Sequence, residues 1–312
     1  MFEYIDYIKA VNECGSFTKA AEKLYITQPA LSLVIKKAEA ELGFPLFIRG
    51  KRNVTLTEEG IYYLQAADEV AAIEQRIKDQ LVNGNSRISG KINIGAAGIC
   101  MRYIVPEILA RFNKLYPDVK VEVTEESFYH LRDLLLRNEL DLVLDTESYH
   151  PEILHERLFP NTLFYAIPTA LIESETFLNK GMTAEDVIAN RYLETDVPKI
   201  SMSDVMTIPF LSLQPRNELY ARAEMLFNYY NCRPETLMHF NQQLTSYRFA
   251  QRGFGATFIA DTLIRVQPSD KLRFYLFDYD LPERWISIGY KKDRYRTKAI
   301  SVFIETAKSL YP

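Results

Sequence analysis

The chain has 312 residues, a length that allows two or three domains. Its 47% apolar and 25% charged content exclude a disordered chain. A net charge of -4, from 37 basic and 41 acidic residues, excludes a wholly basic nucleic-acid coat protein.

Residues 1–58 read as three short helices and a hairpin. Phe2, Ile5, Ile8 and Val11 recur at helical spacing, and Gly15 follows as a helix stop. Ser16 or Thr18 can cap a second short helix over 19–24, with Ala20, Ala21 and Leu24 as its apolar face. Thr27 caps a third, with Pro29 in a first turn that tolerates a missing amide; it runs through Leu31, Ile35, Ala38 and Leu42 to Gly43. Two short helices joined by the tight turn 24–26 make a helix-turn-helix. The segments 46–48 and 54–56, around the basic turn 49–53, make a wing.

Residues 59–90 read as a linker. Thr57 caps a long helix that reaches Leu81, and Ile61, Leu64, Ala67, Val70 or Ala71, Ile73, Ile77 and Leu81 form a near-heptad stripe. Such a stripe needs a partner, and a second copy of the chain is the simplest one. The polar stretch 83–87 reads as a hinge.

From 91 to 312 strands and helices alternate. Strands are expected at 91–94, 119–124, 140–144 and 163–167, and helices at 103–116 and 128–138. The middle adds helices at 183–189, 217–230 and 242–252 with strands at 210–213 and 256–259. The tail has strands at 271–277 and 285–290 and a helix at 297–310. This alternation predicts a parallel sheet covered by helices and divides into two α/β lobes. Lobe I takes 91–163 and 268–312, lobe II takes 164–267, and two crossing strands join them.

No apolar run of about 18 residues and no basic-then-apolar leader occurs, so the expected location is the cytoplasm, with neither a membrane span nor a signal peptide. Cys14, Cys100 and Cys232 are far apart and odd in number, which predicts reduced thiols; the four histidines lack metal-ligand spacing, and neither metal nor cofactor is expected.

A helix in the major groove reads bases with the exposed face of its first two turns. Here those positions are Gln28, Pro29, Ser32 and Leu33, followed by Lys36 and Lys37. Gln pairs with adenine, Ser bonds several bases, and an apolar side chain meets the thymine methyl. Residues 36–52 hold five basic side chains against two acidic ones, whereas 1–60 hold eight of each. A helical protein-docking module with a solvated basic turn is the competing reading of this pattern.

The stretch SFTKAAEKLYITQPALSLVIKKAEAELGFPLFIRGKRNVTLTEEG closely resembles the N-terminal domain of LysR-type transcriptional regulators. GKINIGAAGICMRYIVPEILARFNKLYPDVKVEV and LRDLLLRNELDLVL resemble the start of that family's effector-binding domain, and RFAQRGFGATFIAD its second lobe. The resemblance implies a winged helix-turn-helix, a dimerising linker helix and a two-lobed effector domain similar to periplasmic binding proteins. It implies dimers or tetramers on double-stranded promoter DNA, with RNA polymerase a further partner of an activator. Carried onto matching positions, Thr18, Thr27, Gln28, Pro29 and Ser32 would contact DNA, and Arg49 and Arg52 would be wing contacts. The chain departs from the family where Leu33 and Val34 follow Ser32, since polar residues, often Arg, are usual there.

Ligands of α/β sheets bind beyond the carboxyl ends of strands, near helix N-termini that favour anions. The loop Ala97, Gly98, Ile99 and Cys100, with Arg102 beyond it, is one such end; Ser127 with Phe128 and Thr146 are two more, and Asn241 stands at a turn of lobe II. A small carboxylate or similar anion is the expected effector class. Cys100 reads as a small apolar side chain lining the cleft, against the alternative of an oxidant sensor. Gly95 to Gly98 lacks the GK[ST] of a phosphate loop, and no GxSxG elbow occurs, so no enzyme is expected. The main alternative is a two-lobed solute-binding protein or enzyme carrying an N-terminal docking module.

Overall fold

The computed structural model describes residues 3–50, 53–81, 88–146, 150–215 and 217–311. Helix α1 (Ile5–Cys14) ends on Gly15 at φ +57°, a left-handed stop that suits glycine. Ser16 caps α2 (Phe17–Lys23) by accepting from the Lys19 amide, so this helix starts two residues before the expected 19. Thr27 caps α3 (Gln28–Leu42) through the Ala30 amide, and Gly43 closes it in the left-handed region. Strands β1 (Phe47–Arg49) and β2 (Val54–Leu56) pair antiparallel as the wing. One cluster around Ile8, Val11, Leu31, Ile35 and Leu46 holds these elements together.

Helix α4 (Glu58–Leu81) is long enough, at 24 residues, to span roughly 36 Å. Thr57 caps it through the Gly60 amide. Its expected stripe divides. Tyr63 is buried and Leu64 half-buried against the cluster of α1 to α3, Ala67 is also buried, and Lys9 ties to Asp68 at 2.7 Å. Ile61, Ile73 and Ile77 stay exposed. The hinge expected at 83–87 lies outside the described residues. No helix of the described residues is long and apolar enough to cross a membrane.

Lobe I is built on β3 (Gly90–Ala96), β4 (Val119–Glu125), β5 (Leu142–Thr146) and β6 (Ile153–Pro160), with helices α5 (Val105–Leu115) and α6 (Phe128–Leu136) between them. Lobe II begins with β7 (Leu163–Pro168) and continues through α7 (Glu175–Lys180), α8 (Ala184–Ile188), β8 (Lys199–Ile200), β9 (Phe210–Leu213) and α9 (Glu218–Tyr229). It goes on with β10 (Thr236–Phe240), α10 (Gln243–Ala250), β11 (Thr257–Ala260), α11 (Asp261–Val266) and β12 (Leu272–Phe277). The chain then returns to lobe I as β13 (Trp285–Lys291) and α12 (Lys298–Leu310).

The lobe I sheet runs β4-β3-β5-β13-β6. It is parallel only across β4, β3 and β5; β13 runs antiparallel to both β5 and β6, which corrects the expectation of a parallel sheet. Strand β6 escapes the sequence reading because its pattern, ILHERLFP, puts charged residues on an edge strand without clean alternation. Helices α5 and α12 cover one face, with Phe112 and Phe303 edge to face at 5.0 Å, and α6 covers the other.

A π-helical turn, Cys100–Ile104, precedes α5, so the helix expected from 103 starts at 105. Pro106 has no amide to offer the carbonyl four residues back, and the turn opens there.

Lobe II orders its main sheet β11-β7-β12-β8. Strand β12 pairs with β7 and β8, so the return crossing falls at 278–284 and not at 268. An alternating apolar strand reads the same in either sheet, and only its hydrogen-bond partners decide. Helix α9 covers one face; α8, α10 and α11 cover the other.

Candidate functional site

In the N-terminal domain α3 divides sharply. Leu31, Ile35 and Ala38 are fully buried, while Gln28, Pro29, Lys36 and Lys37 face out and Leu33 is 70% exposed. Ser32 is half-buried at the edge of the same face. Val34 turns inward onto the domain core, so only Leu33 of the two apolar residues after Ser32 is presented. Thr27 spends its hydroxyl oxygen on the Ala30 amide but stays exposed.

Thr18 is exposed in the first turn of α2. Arg49 ends β1 opposite Val54, and Arg52 lies outside the described residues. The two lysines differ: Lys37 stands 3.9 Å from Glu41 and over the Tyr4 ring, whereas Lys36 has no ion partner among the described residues. Tyr25, in the expected turn 24–26 but not among the expected DNA contacts, is 96% exposed before α3 with φ +56°. An aromatic residue in a turn gives no sequence signal of which way it points.

The cleft residues do not gather as one set. Ile99 packs with Tyr103 against the lobe II cluster, and Tyr103 Oη accepts from Gln267 Nε2 at 2.6 Å, so this turn bridges the lobes. Ala97 packs against Leu131, Leu135 and Val143, and Gly98 takes φ +48°.

Cys100 is 2% exposed in the lobe I core; burial, with Asp145 adding to it, pushes its thiol well above the ordinary range. This removes it from the cleft lining expected of it and makes it a poor nucleophile. Arg102 pairs with Glu125 at 3.7 Å, so its charge is shared inside lobe I. Ser127 and Asn241 are exposed at the starts of α6 and of the α10 turn. Phe128 and Thr146 do meet, around a small pocket of about 20 Å³ shared with Arg132, Asp145, His155 and Ser287.

Charged groups from distant segments meet where the lobes join. Asn161 in the first crossing donates its backbone amide to the Arg284 carbonyl at 2.7 Å, and its Nδ2 to Asp261 Oδ1 at 2.9 Å and to Thr262 Oγ1. Arg284 Nε donates to Glu218 Oε2 at 2.9 Å, and Arg222 Nε donates to the same carboxylate. Burial opposes the charge of Glu218, but Arg284 and Arg222 outweigh it and hold its pKa low. Asp145, at the end of β5, is pushed up to about 6 by burial, against the Thr146 amide and Arg284, which favour its charge. Asp261 is also raised by burial, with Arg265 opposing. These four residues, Asp145, Glu218, Asp261 and Arg284, are separated by up to 139 positions, and no spacing rule would link them.

Residues 2–61 match the model for a bacterial regulatory helix-turn-helix protein of the lysR family, and 85–311 match the LysR substrate binding domain. Among relatives, a protein of Bacillus subtilis described as the uncharacterized HTH-type transcriptional regulator YcgK is 28% identical over 97% of this chain and 93% of its own. A probable RuBisCO transcriptional regulator of Synechocystis is 25% identical over 95% and 82%. A full-length OxyR variant from Pseudomonas aeruginosa has the same fold, with a TM-score of 0.68 at 20% identity over 97% and 93% of the two chains. CbnR complexed with its target DNA gives 0.58 at 17% identity over 99% of each. The two matched models together span nearly the whole chain, and it therefore belongs to the LysR family of transcriptional regulators, which carry an effector-binding domain and are not enzymes.

Proposed function

We infer that this regulator reads double-stranded promoter DNA with the exposed face of α3 and is switched by a small molecule held between its lobes. The single observation that carries the DNA reading is the division of α3, with three buried side chains on one face, Gln28, Pro29, Leu33 and Lys36 outside on the other, and Ser32 half-buried at its edge. In this reading Gln28 and Ser32 bond base edges, Leu33 meets a thymine methyl, and Thr18, Thr27, Lys36 and Lys37 bind phosphates. Arg49 and Arg52 are wing contacts to backbone or minor groove.

The uncovered Ile61, Ile73 and Ile77 on α4 support pairing with a second copy, as a dimer or a tetramer built from two dimers. Paired heads would then contact half-sites about one helical turn apart. That one relative in fold is solved on its target DNA supports the same reading. RNA polymerase is a further partner if the response is activation.

In this reading the effector meets Phe128 and Thr146, which share one small pocket, with the loop after β3 and Asn241 as further contacts. A ligand that prefers one lobe angle shifts the placement of the heads through α4. Bending DNA costs about 1–6 kcal/mol for moderate angles, a range that differential ligand binding can offset. Arg102 no longer supports an anionic effector at the loop after β3, because Glu125 shares its charge.

A gel-shift on the DNA upstream of its own gene, titrated with salt, tests the DNA reading; an absent or salt-insensitive shift overturns it. Single-base scanning of the operator tests Leu33, and a strict guanine requirement at the base it faces would refute the methyl contact. Thermal-shift screening of metabolites tests the effector reading, since a ligand of the folded state raises the melting temperature.

A further inference from the structure

Besides the two crossings, a turn of lobe I reaches lobe II. Ile99 and Tyr103, in and before the π-helical turn Cys100–Ile104, are half-buried and pack against the lobe II cluster that holds Leu263 and Leu272. Tyr103 Oη accepts from Gln267 Nε2 at 2.6 Å, a bond between residues 164 positions apart that involves neither crossing. Gln267 follows α11 and is held from behind: its amide donates to the Leu263 carbonyl, and its carbonyl accepts from the Tyr247 hydroxyl at 2.8 Å. The lobe II side of the contact is therefore fixed by its own lobe, and the turn of lobe I is the side that can move.

Two features make this a contact that can be given up. First, Gln267 Oε1 is buried and finds no donor among the described residues. Turning the amide over would pair Oε1 with the Tyr103 hydroxyl and strand Nε2 instead, so one amide atom stays unpaired either way. Gln243 Nε2, on α10 one turn before Tyr247, is likewise buried and unpaired among the described residues. Buried polar atoms without partners are costly, so the joined arrangement carries a cost that a change of arrangement can relieve. Second, the turn itself is π-helical: the Val105 amide donates to the Cys100 carbonyl, five residues back. Such turns are rare and cluster at functional sites, and one residue corresponds to about 100° of helix rotation.

We propose that Tyr103 is an autoinhibitory latch: without effector it holds the lobes at one angle through Gln267, and an effector seated at the loop after β3 releases it. The proposal rests on the effector reading above and names how that site is regulated. The loop of Ala97, Gly98 and Ile99 runs straight into the turn, so a ligand pressing on it acts on Tyr103 with no element in between. Redrawing the turn with α-helical bonds swings Ile99 and Tyr103 by about 100° around the axis of α5, off the lobe II surface. The effector then needs only to prefer the released arrangement for the population to shift.

The test compares the full chain, free of added ligand, with Tyr103→Phe, Gln267→Met and the double variant. The first keeps the ring and loses only the hydroxyl; the second keeps the length and loses both amide atoms. Amide hydrogen exchange over 99–104 and 263–267 reads the contact, and fluorescence transfer between the ends of an operator fragment reads the DNA bend. Each single variant should exchange about threefold faster or more in both segments. Each should also change the bend without any ligand, and the double variant should go no further than either single one, because the two residues act as one unit. Unchanged exchange, an unchanged bend despite faster exchange, or effects that add in the double variant would each overturn the latch. A parent that binds no operator DNA refutes the DNA reading instead, and the exchange rates still decide whether Tyr103 holds the lobes.

Discussion

The DNA-reading domain and the junction between the lobes handle polar groups in opposite ways. On α3 the exposed side chains Gln28, Leu33 and Lys36 stand in solvent, free to meet a partner. At the junction Asp261 and Arg284 are largely drawn out of water and Asp145 partly, while Glu218, open to solvent on one side, is held between two arginines. An exposed surface keeps its donors for a macromolecule and gains little from internal pairs. A buried one must pair its charges within the fold, and their titration then reports on the fold itself.

The largest effect expected on this contrast comes from the buried side of α3. Leu31→Ala should cost about 2–5 kcal/mol in the stability of the N-terminal domain, read by denaturant unfolding, because it removes a fully buried side chain. Leu33→Ala on the opposite face should leave that stability within about 0.5 kcal/mol. Equal losses from the two would break the division of α3 into a core face and a reading face.

Next comes Asp145. Its carboxyl is raised to about 6 in the folded chain and titrates near 3.9 when unfolded, so the folded state holds more protons between those values. Stability from this group is therefore full below about pH 4 and lost as pH rises through about 6. Asp145→Asn removes the loss: at pH 7 the variant should be more stable than the parent by about 1–3 kcal/mol, with no gain at pH 4. Thermal unfolding across that range checks the sign, and a gain at both values would show that the charge is not at issue.

A smaller effect is expected at the DNA surface. Leu33→Ala should weaken operator binding by about 1 kcal/mol, roughly fivefold, and relax the requirement for thymine at one position. The smallest effect separates the two lysines. Lys36→Ala should reduce the slope of log affinity against log salt by about 1, and Lys37→Ala by less, because Glu41 already shares its charge. Identical slopes for both variants would mean that the Glu41 pair opens on DNA.

Much of the N-terminal domain is legible without coordinates. Ser16 and Thr27 are local caps, Gly15 and Gly43 local stops, and the burial of Leu31, Ile35 and Ala38 follows from helical spacing. The exposure of Tyr25 was not legible, because an aromatic residue in a turn carries no sign of which way it points. In the lobes, most strands and helices were legible by type, but β6, α7, β8, β10 and α11 were not. Short or edge elements owe their conformation to neighbours rather than to their own pattern. The cleft was legible as a set of loops and misread in detail: Cys100 turned into the core and Arg102 toward Glu125.

What the amino-acid sequence determined by itself was the local grammar: caps, stops, periodicity, the winged helix-turn-helix and the alternation of two lobes, all set by interactions within a few residues. What only the tertiary structure decided was pairing over long distances. It assigned β12 to lobe II, turned β13 antiparallel to β5, and brought Asp145, Glu218 and Arg284 into one junction. The physical reason is that a strand's partner and a buried charge's counterion are chosen by packing among segments far apart in the chain, where no spacing rule reaches.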